Sequence, residues 1–180
     1  RGVDEKGAAM PSAKNFLGLL EKLQSADITV HQNRCAVVRN RNATCMKCAE
    51  VCTSGCISYS DNELIISPEK CIGCGTCATV CPTCALEAHR PNDAELLHRC
   101  IQAMRAADGE VVIACEQIVN AAEGLLDLEK VVSSTCLGRV EESLLVTLAV
   151  AGAKHVSLVE GKCASCEHAT GFHMAEQVRD

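Results

Sequence analysis

The chain has 180 residues, a net charge of −6 and 15 cysteines, with two phenylalanines, one tyrosine and no tryptophan. An acidic chain with so few aromatic rings has neither a basic groove nor a base-stacking platform, which argues against nucleic acid as a partner. Its longest uncharged apolar run, Ser143 to Ala153, is well short of the roughly 20 residues that cross a bilayer, so no membrane span is expected.

Residues 1–27 are expected to form an N-terminal arm and a helix. Residues 1–11 are polar and without periodicity, and Ser12 can cap a helix from Ala13 to about Gln24. The apolar residues of this helix would share one face, which would pack on the next domain or on a neighbouring subunit; they are Phe16, Leu17, Leu20 and Leu23. No cleavable secretory signal is visible here, so a reducing, cytoplasmic location is expected.

Residues 28–90 contain two copies of one cysteine pattern. Each copy has an apolar residue, a turn, a cysteine and then C-x-x-C-A-x-V-C. The cysteines of the first copy are Cys35, Cys45, Cys48 and Cys52, and those of the second are Cys71, Cys74, Cys77 and Cys81. The copies differ in the spacing of their first two cysteines, which are separated by nine residues in the first copy and by two in the second. Such a repeat indicates a duplicated metal-binding unit.

The second run, C-I-G-C-G-T-C-A-T-V-C-P-T, resembles the signature of bacterial two-[4Fe-4S] ferredoxin domains. In that family the last cysteine of each run ligates the other cluster. The resemblance implies a first thiol set for cluster I, made of Cys35, Cys45, Cys48 and Cys81. It implies a second thiol set for cluster II, made of Cys71, Cys74, Cys77 and Cys52. The exchanged fourth ligands would tie the two halves of the domain together.

Two alternatives stay open for these sets. The first run has Thr53 where the family has proline, and Cys56 could replace Cys35, giving cluster I the ligands Cys45, Cys48, Cys52 and Cys56. We expect Cys56 and Cys84 to be packed thiols instead, since a free cysteine buries as a small apolar residue. Structural zinc also accepts four thiolates, but the crowding of the second run and its two glycines favour an iron–sulfur cluster.

Residues 91–109 are predicted to be a linker helix. Asn92 begins a capping-box-like sequence, and the helix should end near Asp108 and Gly109. Cys100 lies at the helical spacing of the apolar residues and is expected in the core.

Residues 110–180 alternate short β-branched runs with helical ones, which is typical of a parallel sheet with crossover helices. The strand runs are V-V-I-A, V-V-S-S and V-S-L-V, and a helix is expected from Arg139 to Ala151, stopped by Gly152. The fold class predicted for the chain is therefore α+β, with a ferredoxin-type two-cluster domain followed by a small α/β domain.

A third thiol set follows the ends of these strands. It consists of Cys115, Cys136, Cys163 and Cys166. The carboxyl ends of parallel strands meet at one edge, so these thiols could converge and bind a [2Fe-2S] cluster, a zinc ion or no metal. Around Cys136, Gly138, Arg139 and the closing cysteine pair, the segment resembles the delta-type iron–sulfur subunit of methyl-viologen-reducing hydrogenases. That family passes electrons from a hydrogenase to heterodisulfide reductase and carries a [2Fe-2S] centre. Nearby, Glu167, His168 and His173 are not expected to be ligands.

The motifs of hydrolases, phosphate-binding loops and dinucleotide-binding folds are missing from the sequence. We therefore expect a non-catalytic electron-transfer subunit of a multi-subunit cytoplasmic oxidoreductase, in an anaerobic or redox-flexible cell. The resemblances imply a hydrogenase or heterodisulfide-reductase-like complex, in which the chain relays single electrons between other oxidoreductase subunits of a hetero-oligomer. The alternative is a regulatory or assembly module, with a structural ferredoxin half and a C-terminal domain that binds zinc or senses redox state.

Overall fold

The computed structural model describes residues 27–122 and 124–169. The helix expected at residues 13–24 lies outside the described residues, and so does His173. The domain boundaries given above remain predictions.

The N-terminal part consists of two antiparallel strand pairs linked by one-turn helices. Strand β1 (Ile28–Val30) pairs with β4 (Leu86–Ala88), and β2 (Ile57–Ser60) pairs with β3 (Glu63–Ile66). The helices are α1 (Ala36–Arg39), α2 (Lys47–Glu50) and α3 (Thr76–Thr79). Since β1 and β4 are the first and last elements of this part, their pairing brings its two ends together.

The core of this part is built from alternating strand residues and from cysteines. Ile28 lies opposite Ala88 and Val30 opposite Leu86, and all four side chains are buried. Between the strand pairs, the remaining interior is filled largely by thiols, namely Cys35, Cys48, Cys56 and Cys77. Three of the residues expected to bind metal, Cys35, Cys48 and Cys77, are therefore also core residues.

The helix predicted within residues 91–109 is present as α4 (Asp93–Ala106), and its buried face belongs to the C-terminal core. The Asn92 side chain accepts a hydrogen bond from the Glu95 amide at 2.9 Å, which satisfies one of the free donors at the helix start. Cys100 is fully buried on the inner face, as its spacing predicts.

A three-stranded parallel sheet forms the C-terminal part, which confirms the predicted fold class. Its order is β6–β5–β7, with β5 (Glu110–Cys115) in the centre, β6 (Val131–Ser134) and β7 (His155–Val159). Helix α5 (Glu116–Ala121) follows β5, and α6 (Glu142–Val150) precedes β7. Gly152, with φ of 102°, ends the second of these helices as expected.

The predicted start of that helix at Arg139 is wrong. Residues Leu137–Arg139 form a separate 3₁₀ turn, Val140 is extended, and Glu141 is the residue before the helix. The cause is local, because the Cys136 sulfur accepts a hydrogen bond from the Gly138 amide at 3.4 Å and holds the chain in a turn. Helix α6 begins only after the buried side chain of Val140.

The two parts have separate apolar cores and meet where α3 packs against the 3₁₀ turn. This contact places the second copy of the cysteine pattern beside the end of β6. Among the described residues, none of the helices has the length and apolar character needed to cross a membrane.

Candidate metal centres

The first thiol set is assembled around α1 and α2. Cys35 is the residue before α1, Cys48 lies within α2, and both are buried. Burial raises the pKa of Cys48 to about 11, and the nearby thiolates of Cys81 and Cys35 add to this rise. Three members of the set are thus close enough for their charges to interact. The fourth, Cys45, is partly buried just before α2.

Cys81 comes from the other copy of the pattern, as the ferredoxin resemblance implies for a fourth ligand. Burial acts to raise the pKa of Cys81, but hydrogen bonds from nearby backbone amides prevail and lower it. One of these is donated by Ala85 to the Cys81 sulfur at 3.2 Å. Amides that donate to a thiolate stabilise the form in which cysteine binds metal.

The second thiol set lines one largely enclosed cavity beneath β1. All of its members contribute to the wall, together with Cys56, Gly73 and Gly75; they are Cys52, Cys71, Cys74 and Cys77. Burial and the charges of neighbouring thiolates raise the pKa of Cys77. Gly73 and Gly75 have φ of 67° and 76°, so the loop that carries these cysteines adopts a left-handed backbone that glycine permits.

Cys56 belongs spatially with the second set. Its sulfur lies 3.5 Å from that of Cys52, and the nearby thiolates of Cys52 and Cys71 contribute to raising its pKa to about 12, after burial as the main cause. The charges that act on Cys48 come instead from Cys81 and Cys35. Sequence reasoning therefore missed Cys56 as a neighbour of the second cavity. Its position four residues after Cys52, across a turn at Gly55, was the available signal.

Cys84 does not match the expectation of a packed thiol, because it is exposed. Its φ is 49°, and Gly55, at the equivalent place in the first copy, has φ of 63°. The position requires a left-handed turn at the protein surface, and the turn points the Cys84 side chain away from the core.

All four members of the third thiol set converge at the carboxyl edge of the sheet. Cys115 ends β5, Cys136 follows β6, and Cys163 and Cys166 lie in and after a 3₁₀ turn that follows β7. Parallel register brings the three strand ends level, with Cys115 opposite Ser134 and Ala114 opposite Val159. The four thiols line one cavity together with Gln117, Thr135, Glu160 and His168.

Polar groups already point at sulfurs of the third set. The Gln117 side chain donates to Cys166 at 3.3 Å, and the His168 amide donates to the same sulfur at 3.4 Å. Burial raises the pKa of Cys136 to about 11, with additions from the thiolates of Cys74, Cys166 and Cys163. Because Cys74 belongs to the second set, the second and third sets lie side by side.

The chemistry of these donors fits iron–sulfur clusters. Every cysteine in the described residues is free, and the members of each set are soft thiolate donors around a shared space. Backbone amides directed at Cys81, Cys136 and Cys166 are the hydrogen bonds to sulfur that tune such clusters. Within residues 27–122 and 124–169, no three His, Cys, Asp or Glu side chains form a group that could hold a single metal ion.

Comparisons with known proteins place the second copy of the pattern in a family. A family model described as a 4Fe-4S binding domain matches residues 64–87. Ferredoxin-1 of Caulobacter vibrioides is 38% identical over 50 residues, which are 28% of this chain and 44% of that protein. Ferredoxin 7Fe of Hydrogenibacillus schlegelii is 44% identical over 39 residues, 22% of this chain and 50% of that protein.

Electron transport protein HydN of Escherichia coli is 45% identical over 40 residues, 22% of this chain and 23% of that protein. The chain thus spans no more than about half of the length of these relatives. No solved structure matches it. The similarity and the fold together show that the chain contains a ferredoxin-type 4Fe-4S binding domain.

Proposed function

We propose that the chain is an electron-transfer iron–sulfur subunit of a larger cytoplasmic oxidoreductase. The first and second thiol sets would each hold a [4Fe-4S] cluster, and the third would hold a further centre. The chain would relay single electrons between partner subunits of a hydrogenase or heterodisulfide-reductase-like complex. Bound iron–sulfur clusters supply this chemistry, since they accept and release single electrons at potentials set by their surroundings.

The observation that carries the proposal is that the second thiol set adjoins both of the others. Cys48 of the first set is close enough to Cys77 of the second for their charges to interact. Cys74 of the second set stands in the same relation to Cys136 of the third. The second set is therefore next to both the first and the third, and electrons could pass between neighbouring centres.

The comparisons support the carrier role in general terms. Two of the relatives are named ferredoxins and a third is named an electron transport protein. We propose partner redox proteins in a hetero-oligomer on the same grounds. The hydrogenase character of the complex rests on the resemblance of residues 110–170 to the delta-type subunit.

The ligands proposed for the third centre are Cys115, Cys136, Cys163 and Cys166, and a [2Fe-2S] cluster is the preferred occupant. Four thiolates from three chain segments, with amide donors to two of their sulfurs, suit such a cluster. Zinc at this site would instead favour the regulatory or assembly module, because zinc does not change its oxidation state.

The test is iron, sulfide and zinc analysis of protein purified without oxygen, with EPR spectra of the dithionite-reduced state. We expect about ten irons per chain, eight from two cubanes and two from the third centre. Cys163→Ser should remove only the third signal, and the matched control Cys84→Ser, at an exposed cysteine outside all three sets, should remove none. Iron-free protein, or zinc at the third set, would contradict the relay.

A further inference from the structure

Arg139 is a buried cation at the junction of the two parts. Only 3% of the residue is exposed, and Leu137 and Gly138, the other residues of the 3₁₀ turn between β6 and α6, are buried as well. Its Nε atom is buried and has no hydrogen-bond partner in the described residues. Its Nη2 atom forms an ion pair with Asp93, whose own side chain is 70% exposed.

A guanidinium in this position needs a source of compensating negative charge. Removing a charge from water is costly unless it is paired and hydrogen-bonded, and burial accordingly lowers the pKa of Arg139. The charge of Glu141 opposes this lowering, and the mostly hydrated carboxylate of Asp93 compensates for only a part of the cost. The unpaired Nε–H shows that one donor of the guanidinium is still available.

The side chain lies against the loop of the second thiol set. A Cβ atom placed on Gly75 would stand 2.5 Å from Cδ of Arg139 and 3.3 Å from Nε. Gly75 is located between Cys74 and Cys77, and the charge of Arg139 interacts with that of Cys77, although less strongly than with that of Glu141. Only glycine leaves enough room for the arginine to approach the loop so closely.

We infer that Arg139 stabilises the reduced form of the centre held by the second thiol set, by its charge and by an Nε–H hydrogen bond to sulfur. Reduction adds negative charge to the thiolate-bound iron, and a nearby buried cation favours that state. Arg139 is thus a positioning and tuning residue contributed by the C-terminal part. The inference rests on the proposed function.

The test is a potentiometric titration of the [4Fe-4S] EPR signals in four variants. All are made together with Cys163→Ser and Cys166→Ser, so that the third centre does not contribute. Arg139→Met should lower one of the two midpoint potentials. At the potential where that centre is half reduced in the parent, the ratio of reduced to oxidised centre should fall about tenfold. This corresponds to a decrease of about 59 mV in the midpoint potential.

The other variants fix the sign of the effect. Asp93→Asn removes the partly compensating carboxylate and should increase the same ratio about two- to fivefold. Arg139→Lys keeps the charge but not the planar donor and should give a smaller decrease than methionine. Arg105→Met, at an exposed arginine in the last turn of α4, is the matched control and should change nothing.

Unchanged potentials in iron-loaded Arg139→Met and Asp93→Asn would overturn the role of Arg139 and leave the proposed function intact. If Arg139→Met loses iron, the inference is tested by the midpoint potentials of Arg139→Lys and Asp93→Asn. We expect a decrease in the first and an increase in the second. Shifts of the same sign in both variants would contradict the inference. An iron-free parent protein would overturn the proposed function, and the inference with it.

Discussion

Gly55 and Cys84 occupy the same place in the two copies of the cysteine pattern, three residues after the fourth cysteine of each run. Both have a left-handed backbone, with φ of 63° and 49°. For glycine this conformation carries no steric cost, whereas for other L residues the Cβ crowds the following carbonyl. Cys84 is therefore a strained residue at an exposed position.

Replacing this residue should stabilise the protein. We expect Cys84→Gly to raise the free energy of unfolding by about 1 kcal/mol, because it relieves the left-handed strain without removing a buried contact. The thermal midpoint of the iron-loaded protein, followed by circular dichroism without oxygen, should rise by a few degrees. Cys84→Ala keeps the Cβ and should not give this gain; an equal rise in both variants would rule out backbone strain as the cause.

Cys84 and Cys100 belong to none of the three thiol sets and do not line the second cavity. They differ in burial, and we expect them to differ in reactivity for that reason. Cys100 is fully buried, and burial raises its pKa to about 11, so at pH 8 it is a neutral, covered thiol. Under iodoacetamide at pH 8, mass mapping of the iron-loaded protein should show Cys84 alkylated and Cys100 protected. Alkylation of both at similar rates would contradict the packing of α4 on the sheet.

Helix α4 shows how a local signal decides the start of an element. The Asn92 side chain caps it, two acidic residues lie in its first turn, and Arg105 is in its last turn, as the helix dipole favours. Helix α6 lacks such a cap, and none of its boundary residues forms a side-chain capping bond. Its start is set instead by the turn around Cys136.

The cap of α4 can be tested directly. Asn92→Ala should cost about 1 kcal/mol in the opening of the helix, so that the amides of its first turns exchange about fivefold faster with deuterium. Asn92→Ser can accept the same bond and should restore most of the protection. If serine and alanine behave alike, the bond from the Glu95 amide does not stabilise the helix.

At the scale of the whole molecule, the two parts have cores of different chemistry. Buried thiols of the first and second sets fill much of the N-terminal core, whereas the C-terminal core is mainly aliphatic, with Leu96, Ile113, Val140 and Leu148 fully or nearly fully buried. Bound metal would cross-link the loops that carry Cys35, Cys48 and Cys77, and its removal would take that support from the first core. Metal binding and folding should thus be coupled in one part and not in the other.

Removal of iron should therefore unfold the molecule unevenly. After anaerobic chelation, deuterium exchange should accelerate strongly across residues 28–88, while the amides of α4, β5 and β7 remain protected. The exchange of the iron-loaded protein under the same buffer is the control. Equal loss of protection in both parts would show that the C-terminal part is not stably folded once the ferredoxin-type part has lost its iron.

The sequence by itself determined the features that arise from local spacing. The duplicated cysteine runs, the parallel sheet and the capped linker helix are each encoded within short windows, where the geometry of a loop, strand or helix follows from neighbouring residues. Because parallel strands end at the same edge of a sheet, the sequence also predicted that four distant thiols would line one cavity. They are Cys115, Cys136, Cys163 and Cys166.

The tertiary structure alone decided which distant residues share a space. Cys56 lies in the second cavity, Cys84 faces solvent, and Arg139 lies buried against Gly75 at the start of what the periodicity suggested was a helix. These outcomes depend on how α3 packs on the 3₁₀ turn after β6. Such a contact joins residues more than 50 positions apart, and its energy comes from burial and charge pairing, which no local pattern in the sequence records.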